Sequence, residues 1–238
     1  LPPLTTKDLR DLDFVARHAD MVGFSFVQKP ADIAWLQREL ATRRQTKAPL
    51  PLVIKVETRL AVRNLPELIV QAAGGQPLAV MIARGDLAVE LGFDSLSEIQ
   101  EHILWLCEAA HVPVIWATQV LEGLVRTGAP SRAEATDAAM AQRAECVMLN
   151  KGPHILDAMR MLDDILRRQA HTLSESEEKI IADAGLMSGT PGDTSSPVVS
   201  IQLPRFSTRV TRGATETEII VRGISSLSRS ISALSAAW

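Results

Sequence analysis

An apolar run that stops abruptly at charged residues constrains this chain more than any other feature. Residues 79–83, Ala-Val-Met-Ile-Ala, lead directly into Arg84, Gly85 and Asp86. A short apolar run without helical spacing is typical of a strand covered on both faces, as in a parallel sheet. Gly85 allows a sharp turn or a close approach to a ligand. Asp86 adds a carboxylate at the carboxyl end of the strand, so the stretch predicts a buried strand that ends in a site.

Two further segments repeat this pattern. Residues 51–57 are apolar until Lys55 and Glu57, and residues 112–119 end with a hydroxyl and an amide, the hydroxyl belonging to Thr118. Successive strand side chains alternate between faces, so Lys55 and Glu57 point the same way. Three strand ends therefore present a lysine, a glutamate, an aspartate and a threonine.

Strand and helix patterns alternate five times in residues 1–170. Strands are expected near residues 20–24, 51–57, 79–83, 112–117 and 145–149. Helices are expected near residues 5–18, 31–43, 62–73, 95–110, 131–144 and 155–168. Capping-box spacings support three of these helices, at Thr5 with Asp8, Ser95 with Glu98, and Ser131 with Glu134. The alternation predicts a parallel sheet with helices outside it.

Composition excludes several classes of function. A chain of 238 residues with 46% hydrophobic content can bury a sizeable core, and its net charge of −3 gives no reason to expect nucleic acid or an anionic membrane as a partner. Cys107 and Cys146 are isolated and are expected to be reduced core thiols. No run reaches the ~20 apolar residues that span a bilayer, and no signal pattern opens the chain. We therefore expect a cytoplasmic protein.

The ordered motifs resemble the catalytic barrel of the pyruvate kinase family. The motifs are Ile-Lys-Val-Glu at 54–57, Ala-Arg-Gly-Asp-Leu at 83–87, Ala-Thr-Gln-Val-Leu-Glu at 117–122 and Ser-Arg-Ala-Glu at 131–134. The opening, at residues 4–8 and 20–27, looks like the family's strand before the lysine, so the resemblance covers about residues 1–168. A TIM-type (β/α)₈ barrel needs eight units and ~250 residues. The resemblance therefore implies a partial barrel, the last five units, with three strands and a lid domain preceding them in the family.

The resemblance also implies site residues. Lys55 would stabilise the phosphoryl group during transfer, and Thr118 would lie against the substrate methyl carbon and assist protonation of the enolate. Glu57 and Asp86 would hold Mg²⁺ or Mn²⁺. Backbone N–H groups of residues 84–86 would cradle the substrate carboxylate, with Arg84, Gly85 and Asp86 all counted among the substrate-binding residues.

Each of these residues has a structural alternative. Lys55 and Glu57 would form only an ion pair, Asp86 would cap a helical turn, and Gly85 would serve a tight turn. Thr118 would bond a nearby carbonyl, and Arg84 would serve an interface. The Ser-Arg-Ala-Glu motif at 131–134, with Asp137, is interpreted as a helix cap outside the catalytic set.

The sequence thus predicts a pyruvate kinase-like phosphotransferase of glycolysis. It would act on phosphoenolpyruvate and ADP, giving pyruvate and ATP, with K⁺ bound by ligands outside this chain and with a homo-oligomer at full length. Two alternatives stay open: a magnesium-dependent lyase or aldolase of the phosphoenolpyruvate/pyruvate barrel group, and a non-catalytic fragment that binds a metal or a partner. Residues 150–153, Asn-Lys-Gly-Pro, depart from the family's usual Ser-Gly-Glu-Thr, and Thr58 replaces a usual asparagine.

Residues 171–238 differ in character from the rest. Serine and threonine make up 20 of these 68 residues, against 12 of the preceding 170, and no strand–helix alternation continues. We expect a poorly ordered tail of unassigned structure, with a linker near 187–196 and a weak amphipathic element near 218–232. Five units leave the first and fifth strands as open edges, so the chain alone is expected to associate and to be inactive.

Overall fold

The computed structural model describes residues 2–44, 48–183, 210–212 and 218–222. The strands are β1 Val22–Phe24, β2 Leu52–Val56, β3 Leu78–Ala83, β4 Val114–Ala117, β5 Cys146–Asn150, β6 Val210–Arg212 and β7 Glu218–Arg222. The helices are α1 Thr6–His18, α2 Pro30–Arg43, α3 Arg59–Arg63, α4 Leu65–Ala73, α5 Arg84–Leu91, α6 Phe93–Ala109, α7 Glu122–Thr127, α8 Arg132–Met140 and α9 Ile155–Asp183. The α/β alternation predicted for residues 1–170 is confirmed.

The first five strands form a parallel sheet in chain order. Phe24 pairs with Ile54, Ile54 with Val80, and Ala83 with Ala117. All five strands therefore end at the same edge, the one that carries the predicted site residues. This is the architecture of a partial TIM-type barrel.

The far side of β5 is not an open edge. Strand β7 pairs with it in antiparallel orientation, with Val147 opposite Val221, and β6 pairs with β7. The expectation of a bare fifth strand is wrong, because the apolar run Ile219-Ile220-Val221 supplies a strand from within the Ser/Thr-rich region. Residues 187–196 and 223–232, interpreted above as a linker and as part of an amphipathic element, lie outside the described residues.

The sheet has two different faces. On the outer face the helices pack over a large apolar core that includes Ile54, Val56 and Trp116. On the inner face lies a smaller cluster around Val53, and strand alternation places Lys55 on this same face. The inner cluster comprises Val53, Ala79, Ile115, Ala117 and Met148, with Met21, Met81 and Cys146 packed against it.

Helix starts follow the predicted caps with one exception. Capping boxes at Thr5 and at Ser131 are both present. The box predicted at Ser95 is wrong, because α6 begins two residues earlier at Phe93, directly after α5. Gly92 makes this possible, since it takes φ of +91°, a left-handed conformation that costs glycine little.

Two other helices differ from their predicted bounds. The helix expected over 62–73 divides at Asn64, because Pro66 in the first turn of α4 suits a new helix start. Helix α9 runs to Asp183 and so continues past residue 170. None of the helices in the described part of the chain combines the length and the apolar character needed to cross a membrane.

One of the two cysteines has the predicted core environment. Cys107 is buried in α6, and this burial, together with the nearby charge of Glu145, raises its pKa to about 12. The thiol therefore stays protonated at neutral pH. Cys146 is half-buried on the inner face, and neither cysteine forms a disulfide within the described residues.

Strand β1 has no second neighbour among the described strands. The N–H of Val22 bonds the carbonyl of Pro51 in the adjacent segment, so alternation turns the N–H of Gly23 toward the unpaired side of β1.

We expect residues 1–238, expressed alone, to self-associate through this edge of β1. Gly23→Pro, which removes that donor, should lower the average mass in sedimentation velocity, whereas Gly23→Ala should leave it unchanged because no atom lies within 4 Å of the added Cβ. A monodisperse monomer of the unmodified chain would contradict this.

Candidate active site

Lys55 and Glu57 form an ion pair at the end of β2. The Nζ atom of Lys55 lies 2.7 Å from Oε1 of Glu57 and donates to Oγ of Ser25 at 3.0 Å. The Glu57 side chain is 2% exposed, whereas that of Lys55 is 28% exposed. A lysine ammonium has three donors, so one remains for a ligand. The pair is thus anchored at its buried carboxylate and open at its cation.

The end of β1 completes this anchor. Phe24 lies beside Ile54 in the sheet, so Ser25 follows alongside Lys55. The chain then turns at Phe26, with φ of +53°, and the Phe26 N–H donates to Oε2 of Glu57. Sequence reasoning missed Ser25, although its place directly after an apolar strand that precedes the lysine strand could have indicated it.

Helix α5 begins at Arg84, directly after the last residue of β3, with no intervening loop. Ala83 is its N-cap, and no side chain caps it. The N–H groups of residues 84–86 therefore lack intrahelical acceptors and carry the positive end of the helix dipole. The Asp86 side chain is exposed and makes no hydrogen bond or ion pair within the described residues. Asp86 is therefore not the structural helix cap of the alternative interpretation.

Gly85 and Thr118 bring the ends of β3 and β4 together. A Cβ placed on Gly85 would lie 2.7 Å from Cγ2 of Thr118, a distance that real Cβ contacts do not show. Glycine is therefore required here by close approach to a neighbouring strand end. The Thr118 hydroxyl makes no hydrogen bond to any described residue, so the structural alternative of a carbonyl partner is not observed.

The loop after β4 has an unusual backbone. Thr118, Gln119 and Leu121 have φ values of +75°, +58° and +50°. Left-handed conformations are uncommon for residues other than glycine, and they persist only where the surroundings hold them. Contacts with the surrounding structure must therefore maintain the conformation of the loop that carries Thr118.

The Arg84 side chain points away from the carboxyl-terminal edge of the sheet and into the protein. Its Nε donates to the carbonyl of Ala117 at 2.8 Å, and Nη2 donates to the carbonyl of Thr118 at 2.6 Å. Nη1 pairs with Oδ1 of Asp137, and the guanidinium stacks 4.5 Å from the centre of the Trp116 ring. The residue is only 8% exposed. In this chain the guanidinium contacts the loop rather than the site opening, which leaves the backbone N–H as the Arg84 group able to face a substrate.

Helix α8 holds the other end of the same loop. Glu134 accepts backbone N–H groups from Ser131 and Gly123. Burial opposes ionisation of Glu134, but hydrogen bonds from the backbone of Ser131, Gly123 and Leu124 and from the Ser131 hydroxyl outweigh it and hold the pKa below its usual value. The motif at 131–134 is a cap, as predicted. It caps α8 and the start of α7 together.

Residues 150–153, which differ from the usual family motif, pack closely on α7. A Cβ on Gly152 would lie 2.7 Å from the carbonyl oxygen of Val125, and the N–H of His154 bonds this same oxygen at 3.1 Å. The neighbouring Lys151 is exposed. The segment therefore fixes the end of β5 against α7.

The donor set suits a hard divalent cation. Glu57 has two carboxylate oxygens, each with one protein hydrogen bond, and a carboxylate offers about four lone-pair sites. Asp86 offers a second carboxylate at the end of the neighbouring strand. Within the described residues, no group of three or more His, Cys, Asp or Glu side chains is placed to hold a metal ion together. Mg²⁺ commonly takes one or two carboxylates and completes its shell with water and substrate, so Glu57 and Asp86 fit this role.

Comparison with known families decides the relationship. The family model for the pyruvate kinase barrel domain matches residues 1–153. The chain belongs to the pyruvate kinase family. A second model, described as oligopeptidase F, matches only residues 148–196, which is too little of the chain to show a family.

Individual pyruvate kinases agree with this assignment. The chain is 31% identical over 208 residues to a pyruvate kinase of Dictyostelium discoideum, which is 84% of this chain and 39% of that relative. It is 33% identical over 174 residues to a human pyruvate kinase, with 70% and 29% covered, and 36% identical over 154 residues to a probable cytosolic isozyme of Arabidopsis thaliana, with 63% and 29% covered. The chain thus spans well under half the length of these relatives. The Dictyostelium match also includes part of residues 171–238.

Proposed function

We propose that the protein carrying this chain transfers a phosphoryl group between phosphoenolpyruvate and ADP, giving pyruvate and ATP in glycolysis. The observation that carries the proposal is the anchored Lys55–Glu57 pair. It leaves one Lys55 ammonium donor without a protein partner among the described residues, at the sheet edge where Asp86 and Thr118 follow the ends of β3 and β4. Phosphoryl transfer depends mainly on positioning and on neutralising charge, and a cation fixed by a buried carboxylate supplies both.

Each site residue has a distinct role in the proposed reaction, set by its position. Lys55 directs its remaining donor at the transferring phosphoryl group, and the uncapped N–H groups of residues 84–86 bind the substrate carboxylate, as helix N-termini do. Thr118, whose hydroxyl has no partner among the described residues, holds a proton near the substrate methyl carbon. Glu57 and Asp86 hold Mg²⁺ or Mn²⁺, which when bound neutralises negative charge on the substrate oxygens. The ligands of K⁺ lie outside this chain.

A coupled assay of the complete protein tests the reaction. We expect pyruvate to form from phosphoenolpyruvate only when ADP and a divalent cation are present. A lyase or aldolase of the related barrel group would instead cleave or join a carbon skeleton without ADP. Cleavage or joining of a carbon skeleton without ADP would therefore favour that alternative, and absence of turnover would favour a non-catalytic role. Homo-oligomer formation and a cytoplasmic location are proposed on the family relationship.

Gly85→Ala should disturb the site without unfolding the protein. The added methyl group must displace the Thr118 side chain, because the two would lie 2.7 Å apart. A misplacement of about 1 Å in a site costs about 100-fold in rate, so we expect a fall of that order in kcat. Steady-state kinetics of the complete protein measure it, with Gly23→Ala as the matched control because its Cβ meets no atom within 4 Å. Equal kcat in Gly85→Ala and the parent would contradict the close approach.

A further inference from the structure

Two carboxylates of helix α8 fix the two ends of the loop that carries Thr118, one directly and one through Arg84. Glu134 accepts the N–H of Gly123 at the far end of the loop. Asp137 pairs with Arg84, which donates to the carbonyls of Ala117 and Thr118 at the near end. Glu134 and Asp137 are three residues apart in α8 and therefore lie on the same face of that helix.

The contacts of Arg84 at the near end of the loop have the geometry of a planar fork. An arginine presents donors in fixed directions, and here Nε and Nη2 meet two successive carbonyls while Nη1 meets a carboxylate. The ring of Trp116 covers the guanidinium at 4.5 Å. A single buried side chain thus fixes the orientation of two successive carbonyls where the backbone enters its left-handed turn at Thr118.

We propose that Arg84 is a positioning residue for Thr118 and that Asp137 orients Arg84 for this task. The carbonyl of Thr118 is held, the backbone takes φ of +75°, and the side chain is consequently presented against Gly85 at the site opening. This inference rests on the proposed function for its chemical consequence. Its structural part, that the fork sets the position of the Thr118 side chain, does not depend on any activity.

An ordinary stabilising ion pair would behave differently. If Arg84 contributed only charge and packing, lysine would replace much of it, and substitutions would lower stability without a selective effect on one chemical step. A lysine has one terminal nitrogen and cannot reach two carbonyls and a carboxylate in the same plane. Arg84→Lys therefore separates positioning from simple stabilisation.

The test uses the complete protein in five forms: parent, Arg84→Lys, Arg84→Met, Asp137→Asn and Arg143→Gln. Arg143 is the matched control because it too forms an ion pair, with Glu101, but contacts no part of the loop. Two quantities are measured on each: exchange of the pyruvate methyl protons with deuterated water, and the NMR signal of the Thr118 methyl group after threonine methyl labelling. The signal is assigned by its loss in Thr118→Ser.

We expect proton exchange to fall about 100-fold in Arg84→Met and Arg84→Lys, and by less in Asp137→Asn, with KM for phosphoenolpyruvate little changed. The Thr118 methyl signal should shift in all three variants and stay in place in Arg143→Gln. Parental exchange and an unmoved signal in Arg84→Lys would overturn the proposal, as would a shifted signal without any loss of exchange. If the parent itself neither exchanges these protons nor makes ATP, the proposed function fails, and the methyl signal still decides whether Arg84 holds Thr118.

Discussion

Lys55→Met in the complete protein should lower kcat by about 10³-fold or more while leaving KM for phosphoenolpyruvate nearly unchanged. A fixed cation that neutralises charge in flight acts mainly in the transition state, and cationic groups in phosphoryl transfer are worth about 10³ to 10⁵ in rate. Methionine keeps the length and much of the packing of the lysine stem. Steady-state kinetics with a coupled pyruvate assay measure both constants.

Lys55 contributes to the stability of the protein as well as to the proposed reaction. Glu57 is 2% exposed, and Lys55 is the cation that pairs with it, so Lys55→Met leaves a buried carboxylate without its counter-charge. Removing one partner of a buried pair destabilises a protein by about 3–5 kcal/mol, and here the cost is smaller because Lys55 is partly exposed and the Phe26 N–H still bonds Glu57. A lower free energy of unfolding would therefore accompany the loss of turnover.

Two controls distinguish the effects. The double variant Lys55→Met with Glu57→Gln removes both charges and should regain stability, so it measures how much of the stability loss in Lys55→Met comes from the unpaired carboxylate; its turnover is not compared, because Glu57 is also a proposed metal ligand. Lys151→Met changes an exposed lysine at the end of β5 and should leave kcat close to that of the parent. If the Lys55→Met variant turns over at the parental rate, the lysine is no more than the structural partner of Glu57.

The sheet and its polar edge were predictable because they depend on local pattern. Apolar runs of strand length, each ending in a charged or hydroxyl-bearing residue, specify buried parallel strands and the edge at which they finish. Two capping boxes, at Thr5 and Ser131, marked helix starts correctly for the same reason, since the bonds lie within four residues. The Lys55–Glu57 pair also followed from strand alternation alone.

Longer-range features were not accessible in this way. The antiparallel pairing of β7 with β5 joins residues about 70 positions apart, and nothing in the run Ile219-Ile220-Val221 specifies its partner. The direction of the Arg84 side chain depends on carbonyls of β4 and of the loop after it, and on a carboxylate of α8. Gly92 misled the prediction for α6, because a left-handed glycine allowed the helix to start before the better capping sequence at Ser95.

Glu57→Gln and Asp86→Asn should both weaken binding of Mn²⁺ to the complete protein by about 100-fold or more. Changes in the outer shell of a metal site already cost 10- to 100-fold, and the loss of a charged ligand should cost at least as much. Titration calorimetry measures the affinity. Glu90→Gln is the matched control, because Glu90 is an exposed carboxylate on the same helix as Asp86.

The two variants should differ in stability although they agree in metal affinity. Asp86 is exposed and has no partner within the described residues, so Asp86→Asn should change the free energy of unfolding by no more than about 0.5 kcal/mol. Glu57→Gln keeps the shape of a buried group that binds Lys55 and the Phe26 N–H, but it deprives Lys55 of its counter-charge and should be the less stable of the pair. Undiminished Mn²⁺ binding in both variants would make these carboxylates structural. A loss in Asp86→Asn alone would mean that the ion pair with Lys55 fully occupies Glu57, leaving Asp86 as the protein carboxylate that holds the ion.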